Sequence, residues 1–588
     1  MGEQFGWINW GVVIGYLVAT TVVGGLLAGR QATMRDFFLG GRKLPWPAVS
    51  ASIIATEISA ITIVGVPAIV YAPDGNLTYL MLGVFGSTLA RIVVGYLFVP
   101  IFYQREIFSP YDYIGQRLGE SARAVTTGLF MLGGMLAQGA RVYLTALVMD
   151  LIVGRSAFAG LAEFTNTSTL TWSIWLIGLI AVGWTLMGGI RTVIWTDAIL
   201  FLIFLSGSVV ALLFIVGELP GGWAELLTVG AAAGKTVWWN TDPSPAAAYT
   251  VWTAIIASTW GGVAVYGTDQ LLAQRMFCCR GPTEARRAII VSSVGQVITA
   301  TVLFVGIGLY GYYQQFPPTA EAADALAENP NNVFPVFVLS QMTRISFPIA
   351  GLIVAGIFAA AISSLDSILA ALSQTTMSLL VLPRWARTPP DSSDPYSEAR
   401  DERRKVRVSR ILVICWGVAL CMMAQVAVAA NDKFPLVLNL ALSMAGYTAG
   451  ALLAGFLLAV LRLPYDARGF LFSAPLSVLV VFSVVWHDDW ANVVCCVAAG
   501  LLLLAWCALF LRGSWTRNDA GKTLLLISGL AIALWLSYYG YLGTGEADDG
   551  TLTYTTVAWP WFIPIGSIIA FAYGIILARR LPAEPDRS

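Results

Sequence analysis

The amino-acid sequence predicts an all-α polytopic membrane protein, and three observations carry that reading. Of the 588 residues, 57% are hydrophobic and 12% charged, against about 25% charged in soluble globular chains. Apolar runs of about 20 residues recur from one end to the other, each long enough to cross ~30 Å of hydrocarbon. The basic residues also alternate between rich and poor gaps separating these runs, as they do when one side of a membrane is cytoplasmic.

Fifteen spans are expected, at about 7–29, 48–71, 77–104, 124–153, 168–188, 192–217, 250–274, 288–314, 346–381, 411–430, 434–461, 469–486, 490–511, 523–545 and 557–578. The first is no secretory signal, because it has no basic n-region, no small-residue cleavage site and too long an apolar stretch. With the gap after the first span cytoplasmic, 28 of the 34 basic residues fall in odd-numbered gaps. Arg155, Lys235, Arg344 and Lys433 fall in even-numbered gaps, and Arg91 and Arg141 inside spans. The N-terminus is therefore expected outside and the C-terminus inside. The loop at 382–410 mixes Pro, Ser and alternating charge and is expected to be disordered or a short surface helix. Segments 218–249 and 315–345 are long enough for short lid helices.

Composition excludes several chemistries. His487 is the one histidine, so no His cluster can hold a metal, and a Ser–His–acid triad would have to use that loop residue. The seven cysteines lie in apolar runs (Cys415, Cys421, Cys495, Cys496, Cys507) or beside a basic loop (Cys278, Cys279), none with zinc spacing. Gly230-Ala-Ala-Ala-Gly234-Lys235-Thr236 is one residue short of a phosphate loop, and Gly521-Lys522-Thr523 has Thr516 where the first Gly belongs. The chain is thus expected to be no enzyme, to use neither ATP nor an organic cofactor, and, at zero net charge, not to bind nucleic acid.

An ionisable residue inside a span is costly and marks function by default. The candidates are Glu57, Asp197, Asp269, Asp366, Arg91 and Arg141, some of which must form internal ion pairs. The densest polar cluster runs from Ala360 to Ser367. On a helix Ser363 and Ser367 share a face and Asp366 lies one turn from Ser363. Hydroxyls, a carboxylate and nearby carbonyls suit a hard cation; serines bonded back to their own helix are the alternative. Gly261-Gly262, after Trp260, reads either as a break in a discontinuous helix or as close helix packing.

Five stretches together resemble the sodium:solute symporter family, whose fold is the LeuT-type inverted repeat. They are Asp36-Phe-Phe-Leu-Gly-Gly-Arg42, Ser52-Ile-Ile-Ala-Thr-Glu-Ile-Ser-Ala60, Gly188-Gly-Ile-Arg-Thr-Val-Ile-Trp-Thr-Asp197, Gly267-Thr-Asp-Gln-Leu-Leu-Ala-Gln-Arg275 and Ala360 to Ser367. The resemblance runs from about 7 to 460. It implies two inverted five-helix repeats, at 48–217 and 250–461. An extra helix and cytoplasmic loop (1–47) precede them, and about four accessory helices and a tail (462–588) follow. It also implies a sodium site built from the carbonyls of Ala55, Ile58 and Ala360 and the hydroxyls of Ser363 and Ser364. Asp197 matches an acid associated in some members with a further sodium or a proton, and Asp366 is an acid present in some members only.

The sugar-carrying branch uses polar side chains on core helices one, two and six; the positions that look like their matches here are Ile61, Thr62, Val84, Gly262 and Val265, so a sugar site of that kind is missing. The run Ser59 to Tyr71 is more similar to the branch carrying monocarboxylates, vitamins and iodide. Arg141 offers a bidentate clamp for a carboxylate, or else pairs with Glu57 or another buried acid. Thr62, Gly262, Gln296, Asn439, Ser443 and Tyr447 are candidates to complete the solute site. The resemblance implies a sodium-coupled importer in the plasma membrane, carrying a small organic solute, chiefly an anion such as a monocarboxylate. Its alternatives are a neutral amino acid, vitamin or sugar as solute, proton coupling, and, remotely, a non-transporting sensor.

Overall fold

In hydrocarbon every backbone N–H and C=O must be satisfied inside its own segment, which a helix achieves along its length. The computed structural model describes residues 5–28, 40–104, 109–186, 190–344, 348–381, 397–429, 437–461, 463–487, 489–511, 517–539, 544–546, 552–554 and 557–580. Helix dominates these residues. Twelve helices are long and apolar enough to span a membrane, or up to fourteen if each of two bent pairs is one span. The first is α1 (Gly6–Ala28), followed by the bent pair α2 (Trp46–Glu57) and α3 (Ala60–Tyr71). Next come α4 (Tyr79–Gln104), α5 (Glu120–Gly154), α6 (Thr169–Thr185) and α7 (Ile190–Glu218).

A short helix α8 (Gly222–Ala232) leads to α9 (Thr259–Thr268), α10 (Gln270–Phe277) and α11 (Pro282–Gln315). Two more short helices, α12 (Ala320–Glu328) and α13 (Val333–Ser340), precede α14 (Ile349–Val381). Then follow α15 (Ser397–Ala429), α16 (Val437–Val460), α17 (Arg468–Val485), α18 (Asp489–Leu511) and α19 (Arg517–Tyr539). A small antiparallel hairpin, β1 (Thr544–Glu546) with β2 (Leu552–Tyr554), precedes α20 (Phe562–Ile576). Of the family-like stretches, 36–39 and 188–189 lie outside the described residues, as do 382–396 of the basic loop; from Ser397 that loop is already helix.

Two helices are interrupted. Between α2 and α3, Ile58 and Ser59 turn extended and the axis bends by 53°. Between α9 and α10, Asp269 is extended and its Oδ1 accepts from the Leu271 amide at 2.8 Å, capping α10. The stretch 250–274 is therefore not one continuous helix. Its break is not at Gly261-Gly262, which lie inside α9: a Cβ on Gly262 would come within 2.5 Å of the Ala90 Cβ, so this glycine permits close packing.

The short helices α8, α12 and α13 occupy the two segments read as lids. Past α8 the chain turns through Gly234, whose φ of +71° favours glycine. This delivers Lys235, fully buried, to the end of α3. Its Nζ donates to the carbonyls of Val70 and Ala72, both at 2.8 Å, and lies 4.3 Å from the Tyr310 ring centroid. The near-match to a phosphate loop is thus a helix-capping lysine.

Most buried apolar residues form one cluster running through these helices, with a smaller one among α17, α18, α19 and α20. The sides of α1, α18 and α19 that face away from it expose Ile14, Val18, Leu501, Leu504, Leu524 and Ile532, as helices bordered by lipid do. α20 folds back onto α16, which also packs on α5.

Candidate functional site

The first constellation joins α2, α7, α10 and α14. Asp197 of α7 is wholly buried and pairs with Arg275 of α10, Nη2 to Oδ2 at 3.1 Å. It also accepts from Ser52 Oγ at 2.6 Å and from the Ser363 hydroxyl. Arg275 is spent in the same network, donating to Ser52 Oγ (2.9 Å), the Leu271 carbonyl (2.7 Å) and Ser367 Oγ (3.0 Å). A buried ion pair is tolerated when its remaining donors and acceptors are filled this way. Asp197 is consequently not a free acid in this conformation; its charge is compensated.

That network fixes the face of α14 carrying Ser363 and Ser367, and so the neighbouring residue too. Ser364 is 3% exposed and its Oγ has no hydrogen-bond partner among the described residues, a state costing about 1–3 kcal/mol. Ala360 lies one turn before it. α2 packs against α14, and at its end Ala55 and Ile58 lie in the last turn and at the C-cap, where carbonyls lose their helical partners. Carbonyl and hydroxyl oxygens are the donor types that suit a hard monovalent cation.

Asp366, grouped with Asp197 in the sequence, lines a cavity of about 100 Å³ with Tyr16, Thr20 and Thr21 of α1, Thr192 and Thr196 of α7, and Ser363. Ser363 also donates to Asp197, so one serine stands between the two acids: Asp197 turns to Arg275, and Asp366 to a hydroxyl-rich space beside the first helix.

The second constellation surrounds a cavity of about 310 Å³ that both helix breaks line. Arg141 of α5 reaches it, together with Thr62, Gly262 and Gln296. Among the described residues Arg141 has neither a hydrogen bond nor an ion pair within 4 Å. Glu57, one alternative partner, is held by Arg91 instead, and a second acid, Asp269, lines the same cavity. Gln296 sits against Gly83, where a Cβ would meet its Oε1 at 2.0 Å.

Three expected solute residues do not join this cavity. Asn439 accepts from the Tyr249 hydroxyl, Ser443 is buried between helices, and the Tyr447 hydroxyl accepts from Trp486 Nε1 at 2.7 Å. All three lie on α16, whose cavity-lining positions are Leu438, Ala441, Leu442, Ala445, Thr448, Ala449 and Leu452 instead, with Thr448 the polar one.

Other residues were not anticipated. Ser87 and Tyr266 line the cavity. They arrive there because two π-helical stretches, Leu82–Ser87 in α4 and Thr253–Ser258 before α9, press together. Gly86 permits this approach, since a Cβ there would lie 2.5 Å from the Ala254 carbonyl oxygen. Trp559, Pro560 and Ile563, from the start of the last helix, also form part of the wall. Sequence periodicity carries no signal for an accessory helix folding back onto the core.

Two broken helices lining a central cavity, beside the hydroxyl-bearing face of α14, are the arrangement of a LeuT-type carrier fold. A model of the sodium:solute symporter family matches residues 37–476, and the chain belongs to that family. It is 30% identical to the sodium/sialic acid symporter SiaT of Proteus mirabilis over 422 residues, 71% of this chain and 77% of that protein. It is 28% identical to the human sodium-coupled monocarboxylate transporter 1 over 466 residues, 77% and 69% of the two chains. A solved structure of a Na+-coupled sialic acid symporter in a substrate-bound outward-open state aligns over 98% of this chain and 100% of its own. Its TM-score is 0.69 at 24% identity, a likeness in fold. The chain is a multi-pass plasma-membrane protein whose relatives are sodium-coupled transporters.

Proposed function

We propose that this chain is a sodium-coupled symporter importing a small organic anion, such as a monocarboxylate. It works by alternating access between two five-helix repeats, 48–217 and 250–461. The observation that carries the solute assignment is Arg141: a guanidinium with no hydrogen bond or ion pair among the described residues, lining the central cavity, is matched by a carboxylate held bidentately. Thr62, Gly262 and Gln296 complete the wall around it.

Sodium binds to the carbonyls of Ala55, Ile58 and Ala360 and the hydroxyls of Ser363 and Ser364, with the unpartnered Ser364 hydroxyl supporting that set. Asp366, in its hydroxyl-lined cavity, is the candidate for a second ion or a proton, with Asp197 in its ion pair close by on α7. Sodium binding first bridges α2 and α14 and favours the outward-open state. The solute then neutralises Arg141 and allows closure, because only the doubly loaded form has offset the desolvation of its charges. Thermal unfolding of the purified protein against a library of organic acids, in sodium and then in potassium, tests this. Stabilisation by carboxylates in sodium alone is expected; equal stabilisation in potassium contradicts the coupling.

A further inference from the structure

Away from the cavity, α4 and α11 meet along a ladder of contacts. A Cβ on Gly83 would touch Gln296, Arg91 Nε donates to Ser292 Oγ at 3.0 Å, and a Cβ on Gly95 would stand 3.2 Å from Arg286 Cγ and 3.3 Å from the Ile290 side chain. The rungs descend one helix as they climb the other, so the two run antiparallel. The last rung brings the Arg286 guanidinium to 4.8 Å from the Tyr96 ring centroid. Beside the ladder both helices expose apolar side chains: Ile92 and Tyr96 of α4, Val291 and Val294 of α11, with Tyr96 57% and Val294 56% exposed.

This apolar strip ends at positive charge. α11 has 34 residues, about 50 Å at 1.5 Å per residue, against ~30 Å of hydrocarbon, so its ends stand in the head-group layers. Its first turns carry Arg286 and Arg287, and Arg280 lies just before them. Among the described residues these three arginines make no hydrogen bond and no ion pair. The acid of the same turns, Glu284, makes no ion pair with them either, and its Oε2 is buried. Three arginines against one glutamate leave this end of the seam positive.

The strip and the arginines ask for different things. A small soluble anion would satisfy the guanidiniums, which hold phosphates bidentately, and leave the strip uncovered. A zwitterionic phospholipid would cover the strip, but its head group brings its own cation against the arginines. We infer that the α4–α11 seam binds an anionic phospholipid of the phosphatidylglycerol type. Its phosphodiester pairs with Arg286 and Arg287, and an acyl chain lies along Ile92, Tyr96, Val291 and Val294. Basic pockets between membrane helices hold anionic head groups in this way. Gly83 and Ser87 of α4 and Gln296 of α11 line the central cavity, so the lipid fastens together two helices of the cavity wall.

The test is lipid titration of the purified full chain in a neutral detergent, read by thermal unfolding. Phosphatidylglycerol is compared with phosphatidylcholine of the same acyl chains and with glycerol 3-phosphate, the head group without chains. Phosphatidylglycerol is expected to stabilise at concentrations about tenfold or more below phosphatidylcholine, and glycerol 3-phosphate to give no shift. One arginine at a membrane surface is worth about fivefold in affinity. Arg287→Gln should therefore weaken phosphatidylglycerol about fivefold, and Arg286→Gln with Arg287→Gln about twenty-five-fold, the response to phosphatidylcholine being unchanged. The charge-matched pair Arg407→Gln and Arg410→Gln, exposed on α15, should keep the full preference. Because Arg287 is exposed, its single variant decides the matter if the double variant does not fold. Phosphatidylcholine matching phosphatidylglycerol, parental affinity in Arg287→Gln, or an equal loss in the α15 pair overturns the inference. A shift from glycerol 3-phosphate alone also overturns it, since the site then takes a soluble anion and no lipid.

Discussion

Ser363 and Ser364 are adjacent, both proposed to bind sodium, and their alanine variants should behave in opposite ways without it. The Ser364 hydroxyl is buried and unpartnered, so the empty carrier bears a desolvation cost of about 1–3 kcal/mol that Ser364→Ala relieves. The empty variant should therefore be at least as stable as the parent. The Ser363 hydroxyl donates to Asp197, so Ser363→Ala takes a donor from a buried carboxylate and should lower stability by about 1–3 kcal/mol. In sodium the order changes. A lost contact to a charged partner of about 1.5–3 kcal/mol weakens sodium binding by roughly ten- to a hundredfold. At a sodium concentration a hundred times the parent dissociation constant, the ion stabilises the parent by about 2.7 kcal/mol and Ser364→Ala by about 0.4–1.4 kcal/mol. Thermal unfolding with sodium titrated against potassium at constant ionic strength reads both effects. If empty Ser364→Ala unfolds as early as Ser363→Ala, or if its full sodium-dependent shift survives, the ligand assignment is wrong.

Three further outcomes follow from the geometry. Arg141→Gln should weaken carboxylate binding by about a hundredfold, the cost of losing one side of a desolvated charge pair, while the sodium-dependent thermal shift persists; calorimetry with and without sodium measures both. Arg275→Met leaves Asp197 buried without its cation, which costs about 3–5 kcal/mol. It should sharply lower the Tm, and adding Asp197→Asn should restore part of the loss. Gly83→Ala places a Cβ 2.0 Å from Gln296 Oε1. That amide is the free end of a flexible side chain and can swing aside, so solute affinity should fall several-fold in uptake assays with the Tm nearly unchanged.

Much of the fold was legible because the membrane imposes it. Helical stretches long enough to hide their own backbone must be apolar, and short family-like motifs marked the helices proposed to carry ions. Neither break was read from the sequence: 48–71 looked like one continuous span although the motif Ser52 to Ala60 encloses Ile58–Ser59, and an aspartate capping the following helix looks like any intramembrane acid. The glycine pair at 261–262, which read as a break or as packing, proved to be packing. Within the site, hydroxyls on α14 were legible from their spacing. Their partners were not: that Arg275 meets Asp197, 78 positions away, or that Arg91 rather than Arg141 meets Glu57, depends on how helices are juxtaposed. The same is true of α16, where Asn439, Ser443 and Tyr447 are polar but the helix presents Leu438, Ala441 and Ala445 to the cavity. Trp559 reaches the cavity only because the last helix returns to α16, and no local pattern encodes that return.

The central claim, that sodium drives import of a carboxylate held by Arg141, is tested most directly by uptake into proteoliposomes of the full chain with an imposed inward sodium gradient. A labelled organic acid is expected to accumulate above its external concentration. Collapsing the gradient or replacing sodium by potassium should abolish accumulation, and Arg141→Gln should reduce it at low solute concentration by about a hundredfold. Accumulation that continues without a sodium gradient, or an Arg141→Gln carrier with parental uptake, would contradict the account.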